Sequence, residues 1–219
     1  MRLAILVSGR GSNLEAVLEA AVDGRLPTVQ PVLVVSNRPG VRALQVAARH
    51  GIPTAVLPRA AFPDASARDA AIGAAVAGSG ADLALLAGYD QLLRPAYFAA
   101  FGGRTINLHP SLLPRHGGAG MMGMAVHRSV LAAGDVETGV TIHAVTPALD
   151  AGPQLAQTRV PVRPGDDAET LANRVLMVEH DLLVTVLASL AAEGEVADPS
   201  VSMAAALPPT GALGTHERR

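Results

Sequence analysis

Short unbroken apolar runs, each followed by a turn and an amphipathic stretch, constrain this chain more than any other feature. Residues 3–7, Leu-Ala-Ile-Leu-Val, form a continuous apolar run between turn residues, the pattern of a strand covered on both faces. Ser8-Gly9-Arg10-Gly11 turns the chain. Leu14, Val17, Leu18 and Ala21 then recur at i, i+3, i+4 and i+7, which predicts a helix from about Ser12 to a stop at Gly24. Ser12 and Glu15 have capping-box spacing. The alternation repeats, with strands expected over 31–35, 54–57, 83–87 and from Thr105, and helices over 42–50, 65–77 and 96–100. Short connections between alternating strands and helices predict an α/β fold with a doubly wound, mostly parallel sheet and right-handed crossovers. Ligands in such sheets bind beyond the carboxyl ends of the strands.

After Pro114 the character changes. Residues 117–123, Gly-Gly-Ala-Gly-Met-Met-Gly, are too glycine-rich for regular structure and read as a mobile loop or lid, with Met121 and Met122 as lid contacts or filler. A helix is expected over 125–133. Residues 139–145 and 154–162 are β-like and flank a turn at 147–152, which predicts a C-terminal hairpin. Asp166 and Glu169 have the spacing to cap a long final helix reaching about Ala192, with Leu171, Val175, Val178 and Leu182 on one face. Residues 1–195 are expected to form a single domain, its first hundred residues bearing the phosphate site and 101–195 the reacting groups. Residues 196–219 are expected to be a poorly ordered tail.

Composition narrows the function. A formal net charge of -2 gives no electrostatic footprint for nucleic acid or an anionic membrane. All 17 basic residues are arginine, a bias of composition rather than a motif. The chain has no cysteine, which removes disulfides, thiolate metal sites and cysteine nucleophiles and suits a reducing cytoplasm. The N-terminal apolar run is too short to span a bilayer, and no other stretch reaches that length without charges or prolines. His116, His127 and His143 have no metal-ligand spacing, so no metal is expected. His143, alternating with apolar neighbours, reads as a structural histidine.

The candidate chemistry lies at strand ends. In Thr105-Ile-Asn-Leu-His-Pro110, Asn107 and His109 are two apart and project from one face, and Pro110 ends the strand. An amide donor beside an imidazole can hold a developing oxyanion and move a proton, as acyl transfer requires. The same spacing also fits a strand end whose polar groups satisfy local hydrogen bonds. Ser8-Gly-Arg-Gly-Ser-Asn13, between a strand and a helix, is a phosphate cradle or a tight turn. No lysine follows as in a Walker motif, and Leu14 replaces the third dinucleotide glycine, so a single phosphomonoester is the better fit. Asp150 either caps its own turn or folds back beside His109, orienting the imidazole and raising its pKa. Glu179-His180 is either a solvated helical face or a site for a substrate amine.

Taken together, the segments Leu6-Val-Ser-Gly-Arg-Gly-Ser-Asn-Leu14, Leu86-Ala-Gly-Tyr89, Asn107-Leu-His-Pro-Ser-Leu-Leu-Pro114, Val126-His-Arg128, Gly139-Val-Thr-Ile-His143, Leu149-Asp-Ala-Gly-Pro153 and Glu179-His180 resemble the glycinamide ribonucleotide formyltransferases, folate-dependent enzymes of purine synthesis. They occur in the family's order, to about residue 195. The resemblance implies a Rossmann-like formyltransferase fold in which Gly11, Ser12 and Asn13 hold the ribonucleotide phosphate and Glu179 binds its amine. Asn107, His109 and a carboxylate at Asp150 would be the catalytic group, with His109 protonated. Folate would lie against Asp90, Gln91, Leu92 and Leu93, the turn 146–150 and Asn107. It also implies no tightly bound cofactor, 10-formyltetrahydrofolate as cosubstrate, small-molecule partners only, and a monomer or homodimer. Two departures stand out. Asp90-Gln91 replaces the family's apolar residue and arginine, and an arginine common early in the helix after Phe62 falls at Ala65, leaving Arg68, one turn on, as the substitute folate contact. The glycine loop resembles a glycine-rich branch of the family.

Three rivals remain. Formyltetrahydrofolate deformylase shares the core but usually carries an N-terminal regulatory domain, and methionyl-tRNA formyltransferase adds a C-terminal barrel, so the length of this chain disfavours both. A non-catalytic nucleotide-binding module is the third, and its binding would be indifferent to loss of His109.

Overall fold

A computed structural model describes residues 1–193. One seven-stranded sheet runs through it in the order β3-β2-β1-β4-β5-β6-β7. The strands are β1 (Arg2–Val7), β2 (Gln30–Ser36), β3 (Thr54–Val56), β4 (Leu83–Leu86), β5 (Arg104–His109), β6 (Glu137–Ala144) and β7 (Gln154–Pro161). β1 to β5 are mutually parallel, and β6 and β7 join antiparallel as the expected hairpin. Helices α1 (Ser12–Val22), α2 (Arg42–Arg49), α3 (Ala65–Gly78), α4 (Pro95–Phe101), α5 (Met124–Ala132) and α6 (Ala168–Glu193) cover it.

The unbroken apolar run of β1 is explained by its position. Leu3, Ile5 and Val7 point into a core formed with α1, α2, α5 and α6, while Ala4 and Leu6 point into a second core with α3 and α4. A central strand must satisfy both faces, so the alternation of a half-buried strand disappears. Gly73 of α3 permits the close approach of α4, since a Cβ there would lie 2.5 Å from the Tyr97 carbonyl.

Two cap assignments change. The N-cap of α1 is Gly11, in a left-handed conformation (φ 77°) with no side-chain capping bond, so Ser12 is the first helical residue and makes no capping box. Glu15 instead pairs with Arg42 and Arg49 of α2. At α6 the cap is Asp167, whose Oδ1 accepts from the Thr170 and Glu169 amides, while the Thr170 hydroxyl accepts from the Asp167 amide. Asp166 is held by Arg174 and the Arg163 amide, which draw its carboxyl far below the usual range.

The expectation that no charge-free stretch reaches membrane-spanning length needs a qualification. α6, at 26 residues, is long and apolar enough to cross a membrane by composition. Its apolar residues Leu171, Val175, Leu183 and Leu187 pack into the core beside α1, α5 and the hairpin. The tail assignment over 196–219 lies outside the described residues.

Candidate active site

The sheet order reverses between β1 and β4, since the chain runs outward from β1 to β3 and then returns to the other side. A crevice must open at such a point beyond the carboxyl ends of the strands. A cleft of about 770 Å³ lies there, bounded by the turn after β1, residues 88–93 after β4, residues 107–110 at the end of β5, the glycine loop, the turn after β6 and the inner face of α6.

The turn after β1 forms one end. Ser8, Gly9, Arg10, Ser12 and Asn13 line the cleft. Because no side chain caps α1, its first-turn N–H groups remain available to an anion, and the helix dipole favours one. Gly11 shapes this turn from behind, for a Cβ there would meet Ala43 of α2 at 2.7 Å. The side chain of Asn13 is already engaged. Its amide donates to Glu179 Oε2 at 2.8 Å, tying the start of α1 to the middle of α6. Glu179 is buried rather than on a solvated face, and burial raises its pKa. Its neighbour His180 is half-buried, and burial lowers its pKa.

The segment after β4 is fixed by charged groups. The Asp90 amide donates to Ser8 Oγ at 2.9 Å, and its carboxylate accepts from Asn37 at 2.7 Å and pairs with Arg38 at the end of β2. Asp90, through its amide and its carboxylate, thus joins the ends of β1, β2 and β4. Arg68 is not the free folate contact expected of it. It is fully buried, pairs with Asp69 at 2.6 Å, and meets the cleft wall through Gln91, whose Oε1 accepts at 3.0 Å, and the Leu92 carbonyl at 3.4 Å. Asp69 also accepts from the Arg94 amide at 2.9 Å, so this buried pair braces residues 91–94 from behind. Asp90, Gln91, Leu92 and Leu93 all line the cleft.

The end of β5 carries the candidate reacting groups. Asn107 and His109 both face the cleft, and His109 is nearly buried. His109 Nε2 lies 2.9 Å from the His116 carbonyl. A carbonyl only accepts, so Nε2 carries a proton and Nδ1 is the nitrogen left to gain or lose one. Asp150 Oδ2 stands 4.0 Å from Nδ1, beside it but beyond hydrogen-bond length. Asp150 is itself held by the Gly118 amide at 2.8 Å. The expected rise in the pKa of His109 is reversed. Burial pushes it down, and the opposing effects of the His116 carbonyl and the Asp150 charge do not make up the loss. His109 is therefore a neutral imidazole at neutral pH.

Sequence reasoning missed His143. It lies opposite Asn107 in the β5–β6 register, and its Nδ1 reaches the Ala144 carbonyl at 2.9 Å. The Asn107 amide nitrogen, which only donates, lies 3.1 Å from Nε2, a contact that aims that amide, and Asp150 Oδ1 is 3.7 Å from Nε2. The missed signal was register, since His143 meets Asn107 only once β6 turns back against β5. His127, on α5, also lines the cleft, with Nδ1 unpartnered and its pKa lowered by burial. Met121 and Met122 line the cleft.

Comparison with known proteins agrees with this geometry. Residues 1–187 match the formyl transferase family. The chain is 42% identical over 193 residues to a phosphoribosylglycinamide formyltransferase of Mycobacterium tuberculosis, covering 88% of this chain and 86% of that one. It is 36% identical over 188 residues to the Escherichia coli enzyme of that name, covering 85% of each. It also matches the trifunctional purine biosynthetic proteins adenosine-3 of two Drosophila species, spanning only 14% and 15% of their length. Among solved structures, glycinamide ribonucleotide transformylase 1 from Symbiobacterium toebii superposes with a TM-score of 0.82 at 36% identity, covering 91% of both chains. Motif order, sheet topology and near full-length similarity converge, and the chain belongs to the phosphoribosylglycinamide formyltransferase family.

Proposed function

We propose that the cleft transfers the formyl group of 10-formyltetrahydrofolate to the amine of glycinamide ribonucleotide. One observation supports this reading above the others: an uncapped helix start, a buried carboxylate at Glu179 and the Asn107–His109–Asp150 group all face a single cleft. The phosphate takes the α1 N-terminus, mainly through backbone N–H groups at Ser12 and Asn13. Glu179 receives the amine end. Folate lies along residues 90–93 and 146–150. One domain, to about residue 195, serves both substrates, as a monomer or homodimer, in the cytoplasm, without a tightly bound cofactor, metal, nucleic acid or membrane.

The chemistry follows from one amide donor and one imidazole base. The amine nitrogen attacks the formyl carbon and its oxygen gains negative charge, to which Asn107 donates a hydrogen bond. The attacking nitrogen must lose a proton, and neutral His109 Nδ1 is placed to take it. The resulting imidazolium forms beside Asp150, which stabilises it. When the bond from carbon to the folate nitrogen breaks, that proton passes to the leaving nitrogen, so no net proton is consumed. A neutral imidazole at the start suits this sequence better than the protonated one expected from resemblance.

The test is folate release from 10-formyltetrahydrofolate with and without glycinamide ribonucleotide, in wild type and His109→Ala. Release only with the ribonucleotide, and a loss of about 100-fold or more in the variant, is the expected result. Release without ribonucleotide would mean a hydrolase, and ligand binding without transfer would mean a binding module.

A further inference from the structure

His116 and Asp150 are the two non-glycine residues among those described with left-handed backbone, at φ 53° and φ 49°. Both touch the surroundings of His109, and although Asp and His adopt this conformation more readily than most non-glycine residues, each still carries a steric cost that glycine does not. An L-residue stays left-handed only where its surroundings fix it. For His116 those surroundings are explicit. Its Nδ1 lies 2.8 Å from Ser129 Oγ on α5, and its Nε2 lies 2.7 Å from Asp135 Oδ2, just after that helix. Asp135 also pairs with Arg115, and together His116 and Arg115 hold its carboxyl below the usual range. With both ring nitrogens bonded, the side chain has one orientation, and the backbone that carries it is fixed.

Two groups on this stretch act on His109. The His116 carbonyl accepts from its Nε2, and the Gly118 amide holds Asp150 opposite its Nδ1. The Ser-His-Asp arrangement resembles a hydrolytic triad, but Ser129 lies outside the cleft lining. Its consequence is positional. We propose that the Ser129–His116–Asp135 clamp is a positioning device for the reaction. It holds residues 116–118 so that His109 keeps its proton on Nε2 and presents Nδ1, with Asp150 opposite, to the reacting atoms. This rests on the reading of His109 as the proton carrier. His116 and Asp135 are positioning residues, touching no substrate atom.

The experiment compares wild type, Asp135→Ala, Asp135→Asn, His116→Gly and the double variant His116→Gly/Asp135→Ala. Nitrogen-15 NMR of the His109 ring reads the tautomer, and steady-state kinetics separates kcat from KM. The ring in wild type should carry its proton on Nε2. Asp135→Ala should mix the tautomers and lower kcat about 10- to 100-fold, with KM for both substrates nearly unchanged. Asp135→Asn, which keeps an acceptor for His116, should recover most of that loss. Glycine adopts the left-handed backbone without a clamp, so Asp135→Ala should cost little more in the His116→Gly background. The proposal is overturned if the tautomer and kcat ignore Asp135→Ala, if KM alone changes, or if Asp135→Ala costs the same in both backgrounds. Should Asp135→Ala fail to fold, Ser129→Ala read by the same NMR and kinetics decides, and an unchanged tautomer there rejects the clamp. If wild type transfers no formyl group, the functional reading fails while the tautomer measurement still judges the clamp.

Discussion

The two ends of the cleft are built by different means. At the end proposed to bind phosphate and folate, side-chain charges bind strand ends and helices together: Asp90 to Arg38, Glu15 to Arg42 and Arg49, Arg68 to Asp69. The left-handed residues there are glycines such as Gly11 and Gly88. At the reactive end, His109 is surrounded by backbone groups, namely the His116 carbonyl and, through Asp150, the Gly118 amide, on loops that force non-glycine residues left-handed. A binding end tolerates small adjustments of a charged pair. A proton-transfer end does not, because a displacement of about 1 Å can cost about 100-fold in rate. Stiff backbone anchors fit that demand.

Breaking the buried pair should have the largest effect. Arg68→Met leaves the buried Asp69 carboxylate with only the Arg94 amide and, at 3.6 Å, the Arg94 guanidinium, and a loss of about 3 kcal/mol in denaturant unfolding is expected, the lower end of the range for a broken buried pair. A negligible loss would mean that charge does not hold the binding end together. Next comes Asn107→Ala, expected to lower kcat about 100- to 1,000-fold while leaving the unfolding midpoint nearly unchanged. A large stability loss with intact turnover would reverse the roles assigned to the two ends.

Acid should lower the stability of the fold. Burial lowers the pKa of His109, His127 and His180 from the ordinary 6.5. As pH falls below about 6.5 the unfolded chain takes up protons that the folded chain refuses, so stability falls by up to about 1.4 kcal/mol per pH unit for each histidine. Glu179, with its pKa raised, acts in the opposite sense: above 4.5 the folded carboxyl keeps a proton that the unfolded one has lost, a contribution that disappears as pH rises through its folded pKa. Urea unfolding at pH 7 and pH 5.5 measures the balance, with His127→Asn expected to flatten the decline and Glu179→Gln to steepen it. The smallest effect belongs to Asp90→Asn. Its ion pair with Arg38 is half exposed and worth up to about 1 kcal/mol, so KM for both substrates should rise by no more than about fivefold with kcat unchanged. A fall in kcat instead would show that the binding end also sets reactive geometry.

Much of this was legible in the sequence because it is local. Apolar runs, helical periodicity and turn residues set every strand and helix to within a few residues, and Asn107 and His109 share a face by strand geometry alone. What stayed hidden depends on partners distant in the chain. The capping residues Ser12 and Asp166 were misassigned because Glu15 and Asp166 spend their charge on arginines brought near by folding. Arg68 could not be known as internal until Asp69 and Gln91 enclosed it. His143 became part of the site only through antiparallel register, and the sign of the His109 pKa shift only through burial, which no spacing encodes. The sequence by itself determined the elements, their order and the pair at the end of β5. Tertiary structure alone decided which groups are dry and which nitrogen of His109 is free, because desolvation and long-range hydrogen bonds arise only when remote segments share one cleft.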